Sequence, residues 1–288
     1  MIITNMQYSS PAFLNKCLIC ESNTNYFISK IYDFEIPNLS YKNFKADYYK
    51  CEFCGFVVSR THQTMSNADF LGLNNYFHHF IENNETAMNQ PPYAEQALVL
   101  SILNKANIVN LENTLDFAAG YGTLAKILQK YFNKKINLFD LYVTDTNSNL
   151  QYLSKDEFQK YDLVINSAMF EHVLNREDLD KVNGLVSHNG VLMLHTVICE
   201  TIPEDPTWFY LNPIVHSAFH TNKSMSILMK QWGYASSIYS PQAKSWFLFK
   251  NEFPLLANLK NLTDQINTEL QTKWFIYKEG FVDYWKGF

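Results

Sequence analysis

The sequence predicts an α/β protein: a doubly wound sheet, mostly parallel with an antiparallel last strand, preceded by a small module built on four cysteines. Three observations carry that expectation. Four of the 5 cysteines fall in two CxxC pairs, Cys17 and Cys20 in "CLIC" and Cys51 and Cys54 in "CEFC". The middle of the chain alternates short apolar runs with helical patterns, as a parallel sheet covered on both faces requires. One of those runs opens into a small-residue turn, "LDFAAGYGTLA", and an acid closes the next run.

Taken in order, residues 1–65 form the cysteine module, with Tyr-rich, strand-prone filling and a short strand after the second pair in "CGFVVSR". Residues 66–92 read as a polar, Asn-dense connector closed by Pro91 and Pro92. The α/β domain spans 93–250. "YAEQALVLSILNKAN" opens it as a helix with Ala97, Leu98, Ser101 and Ile102 on one face. "NTLDFA" is a strand, and "GTLAKILQKYF" a helix with Leu124, Ile127, Leu128 and Tyr131 apolar. "KINLFD" and "YDLVINS" are strands, "NREDLDKVNGLV" a helix, and "NGVLMLHTV" a strand entered through Asn189 and Gly190. "NKSMSILMKQWGY" is a helix ending at Gly233, and "ASSIYS" and "KSWFLFK" are closing strands. Residues 251–288 read as a helical tail.

The composition excludes several classes. With 47% hydrophobic and 18% charged residues, the chain can bury a sizeable core and is not a disordered type. A net charge of -5 gives no electrostatic reason for a nucleic-acid partner. The first residues, "MIITNMQYSS", lack a basic start and an apolar run, and no run approaches a membrane span. The 5 cysteines are too few for a disulfide framework in a chain of 288 residues. The expectation is a cytoplasmic protein.

The paired CxxC turns, about thirty residues apart, supply four thiolates to one tetrahedral centre. Four ligands close that centre, so a Zn2+ held there is structural. A redox CxxC comes singly, near a βαβ unit. In the turn, Asp116, Ala118, Ala119, Gly120, Tyr121 and Gly122 lie between a strand and a helix. Small residues there let a ligand approach the backbone. Asp140, 24 residues beyond Asp116, stands where an acid accepts ribose hydroxyls. After "YDLVINS" comes Phe170-Glu171-His172, at the ligand-binding end of such a sheet. Farther on, "HTVICETIPEDPTWFYLNPIVHSAFH" carries His195, His216 and His220, with Glu204 and Asp205. These are candidate bases or, with Asp205, ligands of a second metal. Each histidine alone fits a packing role slightly better, while at least one of the three is expected at the site. "PTWFYLNP" has the character of a pocket lid, and Cys199 is expected to be inert.

The D-x-A-x-G-x-G stretch resembles the first motif of class I methyltransferases, with Ala118 in place of the usual first glycine. Glu171-His172 after a buried strand resembles the fourth-strand segment of small-molecule members. Together with the four cysteines and the connector bearing Tyr76, the chain resembles sugar methyltransferases that carry a cysteine-rich zinc module, deoxysugar C-methyltransferases above all. That resemblance implies a Rossmann-like domain binding S-adenosyl-L-methionine, with Ser167 and Phe170 joining the turn and Asp140 as cofactor contacts. It implies a nucleotide-linked sugar or related surface-glycan precursor as acceptor, His172 as base, and Glu171, His195, His216, His220 and Tyr76 in support. O- and C-methylation both stay open. A non-catalytic zinc-ribbon binding module on a relic nucleotide fold is the alternative. A dinucleotide oxidoreductase lacks the third glycine of GxGxxG.

Overall fold

A computed structural model describes residues 15–32, 43–81, 91–143 and 149–284, without the side chains of 78–81. Residues 1–14 and 33–42 of the cysteine module, 82–90 of the connector and 285–288 of the tail lie outside the described residues.

The expected fold class is observed. The central strands are β4 (Thr114–Phe117), β5 (Asn137–Phe139), β6 (Gln151–Tyr152), β7 (Tyr161–Ser167) and β8 (Val186–His195), all paired in parallel. An antiparallel flank follows: β12 (Ser245–Lys250) on β8, β11 (Tyr234–Ser240) on β12, and β13 (Ile276–Glu279) on β11. The order is β13-β11-β12-β8-β7-β4-β5-β6. From β4 the chain builds outward first through β5 and β6, then on the other side through β7 and β8. The switch point, where open α/β sheets bind ligands, is therefore at the carboxyl end of β4.

Helices α3 (Tyr93–Lys105), α4 (Thr123–Phe132), α5 (Arg176–Leu185), α6 (Asn222–Gln231) and α7 (Leu259–Glu269) cover the sheet. Asn175 caps α5 by accepting from the Asp178 N–H, and Thr221 with Ser224 forms a capping box on α6. Two helix faces differ from the expected ones. In α3 the buried set is Gln96, Ala97, Val99, Leu100 and Leu103, while Leu98 is exposed. In α4 it is Leu124, Ala125 and Leu128, and Tyr131 points to solvent. In both, several apolar residues lie side by side, and periodicity alone does not choose between stripes one residue apart.

The cysteine module is not a separate bead. Its strands β1 (Thr24–Tyr32), β2 (Phe44–Cys51) and β3 (Val57–Ser59) continue through β10 (Ala218–Thr221) and β9 (Ile198–Cys199) into one five-stranded sheet. Ala218 and Phe219 of β10 pair with Val58 and Val57 of β3. Cys17, Cys51, Cys54, Phe56 and Val58 share a core with Leu115, Val164 and Leu192 of the large sheet.

Two segments differ from expectation in kind. A single-turn helix α1 (Arg60–Gln63) ends ground read as the cysteine module, and a 15-residue helix α2 (Asn67–Ile81) occupies ground read as connector. Ser66 starts α2 by accepting the Asp69 N–H at 3.1 Å and donating to the Asp69 carboxylate at 2.6 Å. Leu73 and Asn74 are buried beneath it, so tertiary packing offsets the poor helix propensity of its asparagines. The tail is not all helix. After α7 the chain turns at Gln271 (φ 52), and the β-prone run "WFIY" leads into β13 on the sheet edge.

Candidate active site

The small-residue turn leaves β4 in left-handed backbone at Ala118 (φ 64), Gly120 (φ 53) and Gly122 (φ 69), and Gly122 caps α4. The Ala118 and Ala119 N–H groups donate to the Phe139 carbonyl at 2.8 and 3.0 Å. Asp140 locks the loop from the neighbouring strand. Its carboxylate accepts the Gly120 N–H at 2.8 Å and those of Tyr142 and Val143 at 2.7 and 2.9 Å. A Cβ on Gly122 would lie 2.5 Å from Leu150 Cδ1 and 3.2 Å from Tyr152 Oη, so crowding adds to the φ preference for glycine there.

Asp116 is buried beneath the turn. Burial, then the nearby Asp140 carboxylate, pushes its pKa up to about 7. Its Oδ1 has no hydrogen-bond partner among the described residues. A strained backbone cradle over a buried acid with spare acceptor capacity, beside a second acid, fits a nucleoside ligand with a cationic group. S-adenosylmethionine is such a ligand.

The turn opens on a cavity of about 1470 Å³. Of the expected cofactor residues, Ala118, Gly120, Tyr121, Asp140 and Ser167 line it. Asp116, Ala119 and Gly122 lie behind the lining and shape the turn. Phe170 is fully buried between His220 and Trp232 and does not line the cavity, a correction to its expected contact role.

The opposite wall carries Glu171, His172, His195 and His216. Glu171 is buried, and its carboxylate accepts from Tyr210 Oη at 2.7 Å and Thr196 Oγ1 at 2.9 Å. His172 and His216 meet edge to face, with ring centroids 5.1 Å apart. His216 Nδ1 donates to the Tyr210 carbonyl at 2.8 Å, and His195 Nδ1 to that of Lys244 at 2.7 Å. A carbonyl only accepts, so both imidazoles carry a proton on Nδ1.

Three other candidates are not at the site. His220, on β10, is fully buried between the rings of Phe56 and Phe170, and burial lowers its pKa to about 4. It is a neutral packing residue. Tyr76 packs against the module core, while Phe70, Asn74 and Phe77 of the same helix line the cavity. Asp205 is exposed and bound up with Thr207, so it does not join the histidines.

Sequence reading missed Tyr210, Thr196 and Gln96 as individual residues. Tyr210 sits in the aromatic loop read as a lid, where Phe209 and Pro213 also line the cavity. Gln96, fully buried on α3, bonds Ser167 Oγ at 3.1 Å and Ser245 Oγ at 3.3 Å. A lone glutamine within a helical apolar pattern was the one signal for it.

At the other end of the module, the Sγ atoms of Cys17, Cys20, Cys51 and Cys54 all lie within 4.8 Å of one another. Backbone N–H groups of Ile19, Phe53 and Cys54 point at the Cys17 and Cys51 sulfurs at 3.4 Å. The Cys54 thiol, by hydrogen bonding to Cys17, draws the Cys17 pKa down to about 6, and Cys54 rises in turn. Gly55 (φ 74) makes the second turn with its Cβ direction against Thr221. Four converging sulfurs with N–H donors fit a tetrahedral metal with sulfur bonds of about 2.3 Å. Cys199 stands apart, buried, with its pKa pushed up to about 12.

Among the described residues, no helix is long and apolar enough to cross a membrane. A search of curated proteins finds no match. Among solved structures, the plantazolicin methyltransferase BpumL, in complex with a triazolic desmethylPZN analog and SAH, is similar at 8% identity and TM-score 0.41, over 64% of this chain and 98% of that one. The Burkholderia thailandensis 1,6-didemethyltoxoflavin-N1-methyltransferase is similar at 10% identity and TM-score 0.41, over 64% and 89%. Likenesses this distant carry nothing about the acceptor. A family profile described as "Methyltransferase domain" matches residues 58–236, from β3 through the glycine turn and the Glu171-His172 segment into β11, and by that match the chain belongs to the methyltransferase-domain family.

Proposed function

We propose that this S-adenosylmethionine-dependent methyltransferase acts on a nucleotide-linked sugar or related surface-glycan precursor, with a histidine as general base. One observation carries the reading. The glycine turn with Asp140 and the group Glu171, His172 and His216 line a single cavity of about 1470 Å³. That exceeds the roughly 300–1,000 Å³ of a site for one small molecule, so cofactor and acceptor fit together.

Bound S-adenosylmethionine supplies an electrophilic methyl group at its sulfonium. The chain's part is to hold, orient and deprotonate. Gly120 and Tyr121 offer backbone to the cofactor, and Asp140 an acceptor for its ribose hydroxyls. Asp116, buried behind the lining, supports the turn from below. His172 takes the acceptor's proton, and Glu171, oriented by Tyr210 and Thr196, sits beside it to stabilise the imidazolium. Aromatic side chains of Phe70, Phe77 and Phe209 give an acceptor ring apolar faces and keep water out. The sugar class is supported by the motif resemblance and by this wall of aromatic and hydroxyl groups. The four cysteines hold a structural Zn2+.

His172→Ala is the test. Turnover with a panel of nucleotide-sugars is expected to fall about 10²–10⁴-fold, while S-adenosylhomocysteine affinity stays within about twofold. Unchanged turnover sinks His172 as base. Absence of any S-adenosylhomocysteine binding by the parent protein would instead favour the non-catalytic binding module.

A further inference from the structure

Three ligand-type side chains converge inside the cavity. A carboxylate oxygen of Glu171 and one ring nitrogen each of His172 and His216 lie within 4.8 Å of one another. We propose that these three residues form a second metal site, for a divalent transition cation such as Zn2+ or Co2+, separate from the four-cysteine cluster. Two imidazoles and one carboxylate suit such cations better than Mg2+ or Ca2+, which prefer oxygen alone.

The geometry is near what a cation needs. With bonds of about 2.0–2.2 Å, ligand atoms around a tetrahedral centre stand roughly 3.4 Å apart, so the trio closes by at most about 1.4 Å. The outer hydrogen bonds are already set. His216 donates its Nδ1–H to the Tyr210 carbonyl at 2.8 Å, and metal-bound imidazoles are held in this way. The Glu171 carboxylate is fixed by Tyr210 Oη and Thr196 Oγ1. All three side chains line the cavity, so a cation has an entry path and open positions.

The consequence, which rests on the methyl-transfer reading, is inhibition. A cation on His172 occupies the lone pair that proton removal uses. The site is then a point at which transition metals silence the enzyme.

The test titrates Co2+ into protein whose cysteine site is filled with Zn2+. One added equivalent is expected by calorimetry, with weak visible d–d bands and without the intense near-ultraviolet thiolate-to-cobalt bands of a cysteine site. His216→Ala and Glu171→Gln are each expected to weaken uptake at least about tenfold. His195→Ala, which lines the cavity outside the trio, keeps it. If thermal melting shows His216→Ala to be poorly folded, Glu171→Gln carries the comparison. No uptake beyond the cysteine site, or uptake by the variants equal to that of the parent, overturns the site. Turnover in the same titration is expected to fall with the half-saturation of cobalt uptake, and a rise overturns the inhibitory role. S-adenosylhomocysteine binding, measured separately on each protein, reports on the methyl-transfer reading by itself.

Discussion

Two substitutions in one turn are expected to change stability in opposite directions. Ala118 and Gly122 both hold left-handed backbone, at φ 64 and φ 69. A side chain in that region costs about 1–2 kcal/mol. Exchanging alanine for glycine also loosens the unfolded chain, at about 0.4–1 kcal/mol. Ala118→Gly therefore nets a gain of about 0.5–1 kcal/mol. In Gly122→Ala the backbone term reverses, and the new Cβ starts 2.5 Å from Leu150 Cδ1 and 3.2 Å from Tyr152 Oη. Leu150 can swing aside, but Tyr152 is tied to the Gly120 carbonyl at 2.7 Å. Crowding adds to the backbone cost, for a net loss of about 1–3 kcal/mol. Urea unfolding followed by tryptophan fluorescence reads both as shifts in midpoint at constant slope. Ala118→Gly should raise the midpoint and Gly122→Ala lower it. A loss in Ala118→Gly, or no change in Gly122→Ala, would refute the strain argument and the fit of the turn with it.

The same structure makes three further predictions. Asp116 has its folded pKa raised to about 7, so between about pH 4 and 7 the native state keeps a proton that the unfolded chain releases. Stability from this group falls as pH rises through that window, by at most about 1.4 kcal/mol per pH unit. His62 and His220, with pKa lowered to about 4, act oppositely, losing stability as pH falls from about 6.5. Melting temperature against pH for Asp116→Asn, subtracted from the parent curve, isolates the aspartate, and parallel curves would disprove its burial as a neutral acid. Tyr210→Phe removes a donor from buried Glu171 and should cost about 1.5–3 kcal/mol of stability, with kcat falling more than S-adenosylhomocysteine affinity. A melting curve and turnover unchanged from the parent would mean that Tyr210 does not orient Glu171. Metal chelation should expose four thiols to a disulfide reagent while Cys199 stays unreactive, and should lower the melting temperature. Early reaction of Cys199, or no change in reactive thiols, would contradict the metal cluster.

Local chemistry explains what the sequence made legible. The strand "YDLVINS" coincides with β7 because a strand buried on both faces is a continuous apolar run with clear ends. The cysteines were legible because a CxxC turn has few other uses at that spacing. α2 was hidden because its Asn-rich face reads as loop, although "SNAD" holds the Ser66–Asp69 cap. His220 and His216 look alike in sequence, four residues apart. They differ because β10 turns His220 inward between two phenylalanines, and the loop before it leaves His216 at the cavity wall. Strand pairing between residues more than a hundred positions apart decided that, and no local pattern encodes it.

That pairing also explains why a cysteine module precedes this catalytic fold. The loop between β9 and β10 carries Tyr210 and His216, and its backbone is held from the module side. Lys30 Nζ donates to the Pro206 carbonyl at 2.7 Å, Tyr32 Oη to Leu211 at 2.8 Å, and Tyr48 Oη to His216 at 2.9 Å. His62 Nε2 donates to Ile214 at 2.8 Å, and the Ser59 N–H to Ser217 at 2.7 Å. Burial lowers the His62 pKa to about 4, which keeps that ring neutral at physiological pH. Thr221 Oγ1 donates to the Cys54 carbonyl at 2.5 Å, and Gln231 Nε2 to Ile19 at 2.9 Å, so the cysteine turns are fastened to the far end of β10 and to α6. Without these donors, the loop would have to satisfy five carbonyls from water beside an apolar cavity. The β1–β2 and β2–β3 ladders, with the four-cysteine cluster beside Cys51 at the end of β2, form one sheet. That sheet holds the loop, and the loop holds Tyr210 against Glu171. The module thus supports the part of the cavity lined by Glu171, His172 and His216, rather than the part formed by the glycine turn.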